Sequence, residues 1–439
     1  IFNSSAAQTL AGVISGGGSL SQAGVSTLTL SAANTYTGNT TISAGGLIVG
    51  GSGSLNSGNY AGNILNNGSF TYQSSVGQIL SGIISGTGSN ILNSTATLSL
   101  NGANTYAGGT YVNEGTLSMN NTVACIGSGP VILGASGYSG TVSLANGVSG
   151  TYTNALIVNP GGVRRYYTAG GPSGNWAGLI TLVGGATFEF GPNANINQTI
   201  SGGTAGNGTL DITYPVNNRN SVITVTGGAV NHVGTLENTM GGTTGTAQID
   251  AVVGPNVTNV LQNSSCPMNL TATNTYAGPT TISMGTLTVG GAGLLGGGLY
   301  AGNIDDTATN SVFNYGSSAA QTLSGIISGL GSVTVTNGIL TLSGANIYSG
   351  NTTISGGQLW GVANGTAGLS NSAVVVTPAG GIASFGVSTP TAGNQFTCTN
   401  LTINAGGAGA YLTFAFTAAP SLSVAPLNVM GTLTFNATP

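Results

Sequence analysis

Lysine is absent from all 439 residues, and the formal charges number three arginines against seven acidic side chains. Charged residues make up 2% of the chain, where an ordinary soluble domain carries about 25%. The only cations are Arg164, Arg165 and Arg219, joined by His232 when it is protonated. Nucleic-acid binding needs several phosphate-neutralising charges on one face, so that class is excluded. A net charge of −4 is too weak to steer a partner by long-range attraction. A surface with so little to titrate is insensitive to pH and salt, and the expectation is a protein adapted to surroundings outside a cell. The three cysteines, Cys125, Cys266 and Cys398, are too few and odd in number for a disulfide framework. Cys125 and Cys266 flank the most divergent stretch and form the candidate disulfide, against the plainer reading of three buried free thiols. No apolar run reaches the 18 or so residues of a membrane helix. The most apolar segment, 411–430, is broken by Ser, Thr and Pro. The chain opens at Ile1 with no charged n-region, so any secretion signal is expected to have been removed.

What the chain does have is glycine, 78 residues, with a hydrophobic share of 40% that is enough to fill a core. The apolar residues are largely Val, Ile and Leu, and Ser, Thr and Asn stand where Lys and Glu would be usual. β-Branched residues favour strands, while Gly and Asn favour tight turns. The composition therefore reads as all-β.

Internal repetition decides the architecture. Residues 28–51 read LTLSAANTYTGNTTISAGGLIVGG, residues 98–119 LSLNGANTYAGGTYVNEGTLSM, residues 269–291 NLTATNTYAGPTTISMGTLTVGG and residues 340–361 LTLSGANIYSGNTTISGGQLWG. Their shared tyrosines are Tyr36, Tyr106, Tyr276 and Tyr348. A second unit, FTYQSSVGQILSGIISGTGS from Phe70, returns as FNYGSSAAQTLSGIISGLGS from Phe313 and opens the chain as FNSSAAQTLAGVISGGGS from Phe2. Each unit consists of short period-2 runs punctuated by Gly-Gly, Asn-Gly and Ser-Gly pairs. Such strands are too short for an independent sheet but can stack coil on coil around a continuous core. At about 20–25 residues per coil, the spacing of about 4.8 Å between strands predicts a rod on the order of 90 Å long. In a stack like sits above like, so a repeated charge would face its own sign one coil away, which Asn, Ser and Thr avoid.

The strings NTYTGNTTISAGGLIVG, NTYAGPTTISMGTLTVG and LSGANIYSGNTTISGGQL resemble the autotransporter-associated β-strand repeat of secreted bacterial surface proteins. The resemblance implies a right-handed parallel β-helix (a β-solenoid), export across the outer membrane of a bacterium to the cell surface or beyond, and a structural or adhesive role. The translocator barrel that accompanies such passengers is not part of this sequence.

The organisation expected is a first repeat block over 1–121, divergent coils with insertions over 122–267, a second repeat block over 268–361 and C-terminal coils over 362–439. No polar cap is evident at either end, and Ile1, Phe2, Leu433 and Phe435 are the candidate end-to-end contact residues. Arg164, Arg165, Tyr166, Tyr167 and Trp176 form a candidate patch for a subunit contact or for sugar stacking. Asp305 and Asp306 offer oxygen for calcium, against the simpler reading of a solvated turn. His232 and Glu237 define no acid–base geometry, and ten charged residues are a poor basis for a catalytic cluster. No catalytic residue, metal or cofactor is expected. The reading that follows is a structural filament subunit whose partner is another copy of itself. The alternative is a passenger adhesin for surface glycans, and a glycan-cleaving β-helix enzyme is the weakest option.

Overall fold

The alternation Thr27-Leu28-Thr29-Leu30 puts both leucines inside and both threonines on the outer surface, and this pattern recurs from coil to coil. The computed structural model describes the whole chain apart from residues 122–124, 137, 169–172, 193–194, 214–219, 407–408, 417–420, 422 and 437–439. Among the described residues there is no α-helix, only strands and two short 3₁₀ turns at Asn56–Gly58 and Gly296–Gly298. The chain divides into two compact units, Ile1–Pro215 and Val216–Pro439.

In the first unit strands pair in parallel with their counterparts one coil away. One face stacks Gln8–Leu10, Thr27–Leu30, Gly46–Gly51 and Ser69–Ser74. A second stacks Leu20–Gln22, Thr40–Ile42, Ile64–Asn66 and Ile84–Ser85. A third begins with Asn59–Tyr60 and Gln78–Leu80. Long strands such as Ser89–Leu100 turn a corner, pairing at their start with Ser69–Ser74 and at their end with Gln78–Leu80. The inward ladder Leu28, Leu47, Phe70, Asn90, Thr110, Val131, Leu156, Ile180 and Thr204 advances 19 to 25 residues per coil. This is the parallel β-solenoid that the repeats predict.

The second unit is built the same way. Its longest ladder runs Ile223, Ala247, Met268, Leu287, Phe313, Val333, Thr352, Val374, Leu401 and Leu433. Coils here take 19 to 32 residues, the longest being the last, because the C-terminal coils carry insertions at their corners.

Backbone approaches backbone closely at the corners. A Cβ placed on Gly82 would fall inside van der Waals contact of the Gly62 carbonyl, and one on Gly102 would meet Gly82 in the same way. Only glycine fits such a column. Where the two units diverge at a corner, the strain is visible. Asn56 and Ser57 hold φ of 43° and 52°, while the corresponding turn in the second unit uses Gly296 and Gly297 at 54° and 65°.

Two stability outcomes follow. Gly82→Ala is expected to destabilise the first unit by at least about 2 kcal/mol, whereas Gly17→Ala, with open space around its Cβ position, leaves the melting transition nearly unmoved. Ser57→Gly is expected to raise stability by about 0.5–1 kcal/mol, the left-handed penalty of a non-glycine residue less the extra chain entropy of glycine. Thermal unfolding followed by circular dichroism reads all three, and equal melting temperatures for the Gly82 and Gly17 variants would refute the stacking argument.

Candidate functional site

The four long repeats share Asn-x-Tyr-x-Gly-x-Thr: Asn34 to Thr40, Asn104 to Thr110, Asn274 to Thr280 and Asn346 to Thr352. Each asparagine is buried and ties coils together. The Asn274 Oδ1 accepts from the Val253 N–H at 2.9 Å, one coil below, while its Nδ2 donates to the Leu294 carbonyl at 3.0 Å, one coil above. Asn34 does the same between Ile14 and Ser54, and Asn104 between Ile84 and Cys125. Asn346 takes the Ile327 N–H at 2.9 Å. The tyrosine enters the core and its hydroxyl meets the threonine of its own repeat, at 2.8 Å for Tyr36–Thr40 and 2.6 Å for Tyr348–Thr352. A second tyrosine from the next coil completes the group, Tyr60 on Thr40 and Tyr300 on Thr280, each at 2.8 Å. Burial raises the hydroxyl pKa of Tyr36 and Tyr276 well above the ordinary value, so they stay neutral hydrogen-bonding groups. The glycine between them, Gly38 or Gly278, lies against the backbone of the coil below. The asparagine, glycine and threonine thus act between coils, and the tyrosine braces the threonine of its own repeat.

The candidate patch of the divergent segment is split by strand alternation. In the strand Arg164–Thr168, Arg164, Tyr166 and Thr168 point inward and Arg165 and Tyr167 outward. Tyr166 stacks on Phe190 at 5.0 Å and meets Trp176 edge-on at 5.7 Å, inside the first unit. Arg164 is enclosed too, its guanidinium donating to the carbonyls of Gly140 (2.6 Å), Tyr138 (3.2 Å), Asn159 (3.3 Å) and Pro160 (3.3 Å). It organises two neighbouring loops rather than facing a ligand. Only Arg165 and Tyr167 remain at the surface, and Arg165 pairs with Glu189 at 3.3 Å on the adjoining coil. The five residues therefore do not form one surface patch. Arg219 lies outside the described residues.

Asp305 and Asp306 are not a solvated turn. They lie in the strand Ile304–Asp306 and point to opposite sides of it, Asp305 outward and Asp306 fully buried, so they cannot ligate one cation together. His232 is buried, its Nε2 2.9 Å from the Thr235 carbonyl oxygen, and burial lowers its pKa while it raises that of Glu237. Cys125 and Cys266, the candidate disulfide, are both buried free thiols, one in each unit. Desolvation pushes the Cys125 thiol up to about 11, which makes it unreactive at neutral pH.

In the last described coils of the second unit apolar side chains are exposed. Phe385 and Val387 are fully buried, but the residues stacked on their column one coil later, Leu412 and Phe414, are partly exposed, and Phe416 follows at 50%. Leu433 and Phe435 join them, Phe435 at 64%. At the start of the first unit Ile1 is 96% exposed, Phe2 bridges to Gln22, and the strand Gln8–Leu10 is exposed along its length.

The repeat asparagines are the functional residues that the tyrosine alignment passed over, although they stand at a constant two positions before each tyrosine. Asn274→Ala is expected to cost about 1–3 kcal/mol, since it leaves the Val253 N–H buried without a partner, while the Leu294 carbonyl keeps the Asn274 backbone N–H. Tyr276→Phe removes a single hydroxyl and should cost about 1 kcal/mol. Denaturant unfolding of both variants checks the order, and a larger loss for Tyr276→Phe would overturn the assignment of the asparagine as the main inter-coil tie.

A passenger-associated-transport-repeat family model matches four segments, 20–49, 93–119, 268–289 and 337–360, and each contains one Asn-x-Tyr-x-Gly-x-Thr lock. No curated protein and no solved structure matches the chain. Repeat and fold together support a passenger domain. The four locks, each within a matched repeat segment, and the β-solenoid coils they hold are consistent with an autotransporter passenger β-helix.

Proposed function

We propose that the chain is structural rather than catalytic: an exported bacterial β-solenoid of the cell surface or extracellular space whose copies stack end to end into a fibre. The observation that carries this reading is the exposed apolar surface of the last described coils, where Phe414 and Phe416 follow buried Phe385 and Val387 on one sheet and Phe435 follows Ile403 on another. Strands Ala410–Phe416, Leu427–Val429 and Leu433–Asn436 pair on one side only among the described residues, with free N–H and C=O groups on the other. Such an edge accepts another parallel coil with the hydrogen-bond pattern already present in the wall. Covering each large apolar side chain contributes about 1.5–3 kcal/mol. The first coil, with Ile1, Phe2 and Gln8–Leu10 at its face, is the complementary surface. The contact is head-to-tail and does not close, so it propagates.

A passenger adhesin is the second reading. It is favoured by an outward column on the first unit, where Ile91, Tyr111, Ile132 and Ile157 stack in register on four successive coils. A row of apolar side chains around one aromatic ring on an uncharged wall suits the apolar faces of sugars.

Electron microscopy and sedimentation of the purified chain at rising concentration distinguish the two. The expected outcome is unbranched fibres whose formation is lost in the Phe416→Asp, Phe435→Asp double variant. Single particles at every concentration would overturn the fibre reading. Glycan binding that disappears with Tyr111→Ala would then put the adhesin in its place.

A further inference from the structure

The second unit repeats the hydrogen bonds of the first almost bond for bond, and this makes one departure informative. In the first unit the buried Asn66 sits at the end of the strand Ile64–Asn66. Its Nδ2 donates to the Ser89 carbonyl at 2.9 Å, and its Oδ1 accepts from the Gly68 N–H at 3.2 Å. The backbone bonds around this position recur in the second unit, although three more residues separate Asp306 from Ser311 than separate Asn66 from Gly68. Gly88 N–H donates to the Asn66 carbonyl at 2.7 Å, and Gly331 N–H to the Asp306 carbonyl at 2.8 Å. Ser89 N–H donates to Gly68, and Ser332 N–H to Ser311, at 3.1 and 3.0 Å. The side chain at this position in the second unit is the carboxyl of Asp306, equally buried. Its Oδ1 accepts from the Ser311 hydroxyl, which fills the role of the Gly68 N–H. Its Oδ2 is buried and has no hydrogen-bond partner among the described residues. The group that the amide meets in the first unit is a carbonyl, that of Ser89, and its counterpart here is the carbonyl of Ser332. A carboxylate oxygen cannot bond to a carbonyl, but a carboxylic acid can.

We propose that Asp306 is a proton-binding site of the coil wall: it takes one proton from solvent, and the resulting Oδ2–H donates to the Ser332 carbonyl as the Asn66 amide does to Ser89. The second unit thereby gains an inter-coil hydrogen bond on mild acidification and loses it, with a buried charge in its place, on return to alkaline medium. Desolvation points the same way, raising the Asp306 carboxyl to about 6 against the opposing pull of the Ser311 hydroxyl and the Phe313 N–H. The other titratable groups that act on it are Asp305, outward on the same strand and bonded to the Ser328 hydroxyl, and Tyr348, which stays neutral over this range. The strands below and above, Thr280–Met284 and Ile327–Gly329, carry no titratable side chain. Because the folded-state pKa lies above the unfolded value, the stabilisation is fully present below about pH 4 and is lost as pH rises through about 6.

The test is equilibrium unfolding of the full chain between pH 4 and pH 8, for the native sequence and for Asp306→Asn. Native stability should fall across this range by on the order of 100-fold in the unfolding constant. Asp306→Asn, which builds the first unit's own solution into the second, should reduce that slope and match or exceed the native chain at pH 8. Glu237 and His232 contribute a slope of their own in both chains, so a slope that the substitution leaves unchanged, or a variant weaker than the native chain at pH 8, would overturn the proposal. Should the variant fail to fold, carbon-13 NMR titration of aspartate-labelled native chain decides it directly. One carboxyl titrating near pH 6 is expected, and all aspartates ionised by pH 5 would refute the site.

Discussion

The constraint on which this protein depends is that every coil must present to the next the same backbone at the same height. Parallel pairing supplies hydrogen bonds along the stack, but a short strand of three or four residues holds its register weakly by itself. The Asn-x-Tyr-x-Gly-x-Thr lock supplies what the strands lack. One asparagine side chain reads the N–H of the coil below and the carbonyl of the coil above, so a slip that withdraws it leaves a buried N–H without a partner. The tyrosine fixes the same coil laterally through its threonine, and the glycine admits the backbone below. The lock recurs twice in each unit, and the coils between add inward alternation and other side-chain ties such as Asn66 to Ser89.

The same constraint accounts for the surface. A charged side chain on an outer column has a neighbour about 4.8 Å away on each side, and its own repeat would place the same sign there. In a column that does stack charges, Arg165 forms an ion pair with Glu189, and Asp211 follows in register on Glu189. The half-exposed setting of the pair makes it worth no more than about 1 kcal/mol, so it relieves repulsion more than it stabilises. Elsewhere threonine, serine and asparagine occupy the outer positions and bond between coils. Asn436 donates to Asn404 and Asn404 to Thr377 along one column.

Much of this was legible in the sequence. The repeat spacing, the period-2 runs and the glycine pairs carried the stacked parallel fold, because each is a local consequence of a coil that must turn and return. What the sequence concealed was direction. Arg164-Arg165-Tyr166-Tyr167 looks like a polar aromatic cluster when read as a string, yet alternation sends one arginine and one tyrosine to each side. Nothing in its composition reveals that the Arg164 guanidinium is enclosed by four carbonyls. Asp305-Asp306 misleads for the same reason, as a pair of acids that reads as a wet turn is one outer and one inner residue of a strand. The parity of each run was readable from its apolar members, Ile304 marking the inward side, but the charge drew attention away from it.

The fate of Asp306 shows how strictly the wall selects. Asn66 satisfies a donor site and an acceptor site with one amide, and a carboxylate in its place can satisfy only the acceptor side. The chain has not compensated with a lysine or arginine, which a stacked uncharged column would again have to desolvate. It has instead placed the Ser311 hydroxyl against Oδ1 and left Oδ2 facing backbone. In a core without counter-ions the least costly neutraliser is a proton, because it restores the amide's donor without adding an atom heavier than hydrogen. The rule that removes charge from the repeats thus also determines how a buried carboxyl can be kept there.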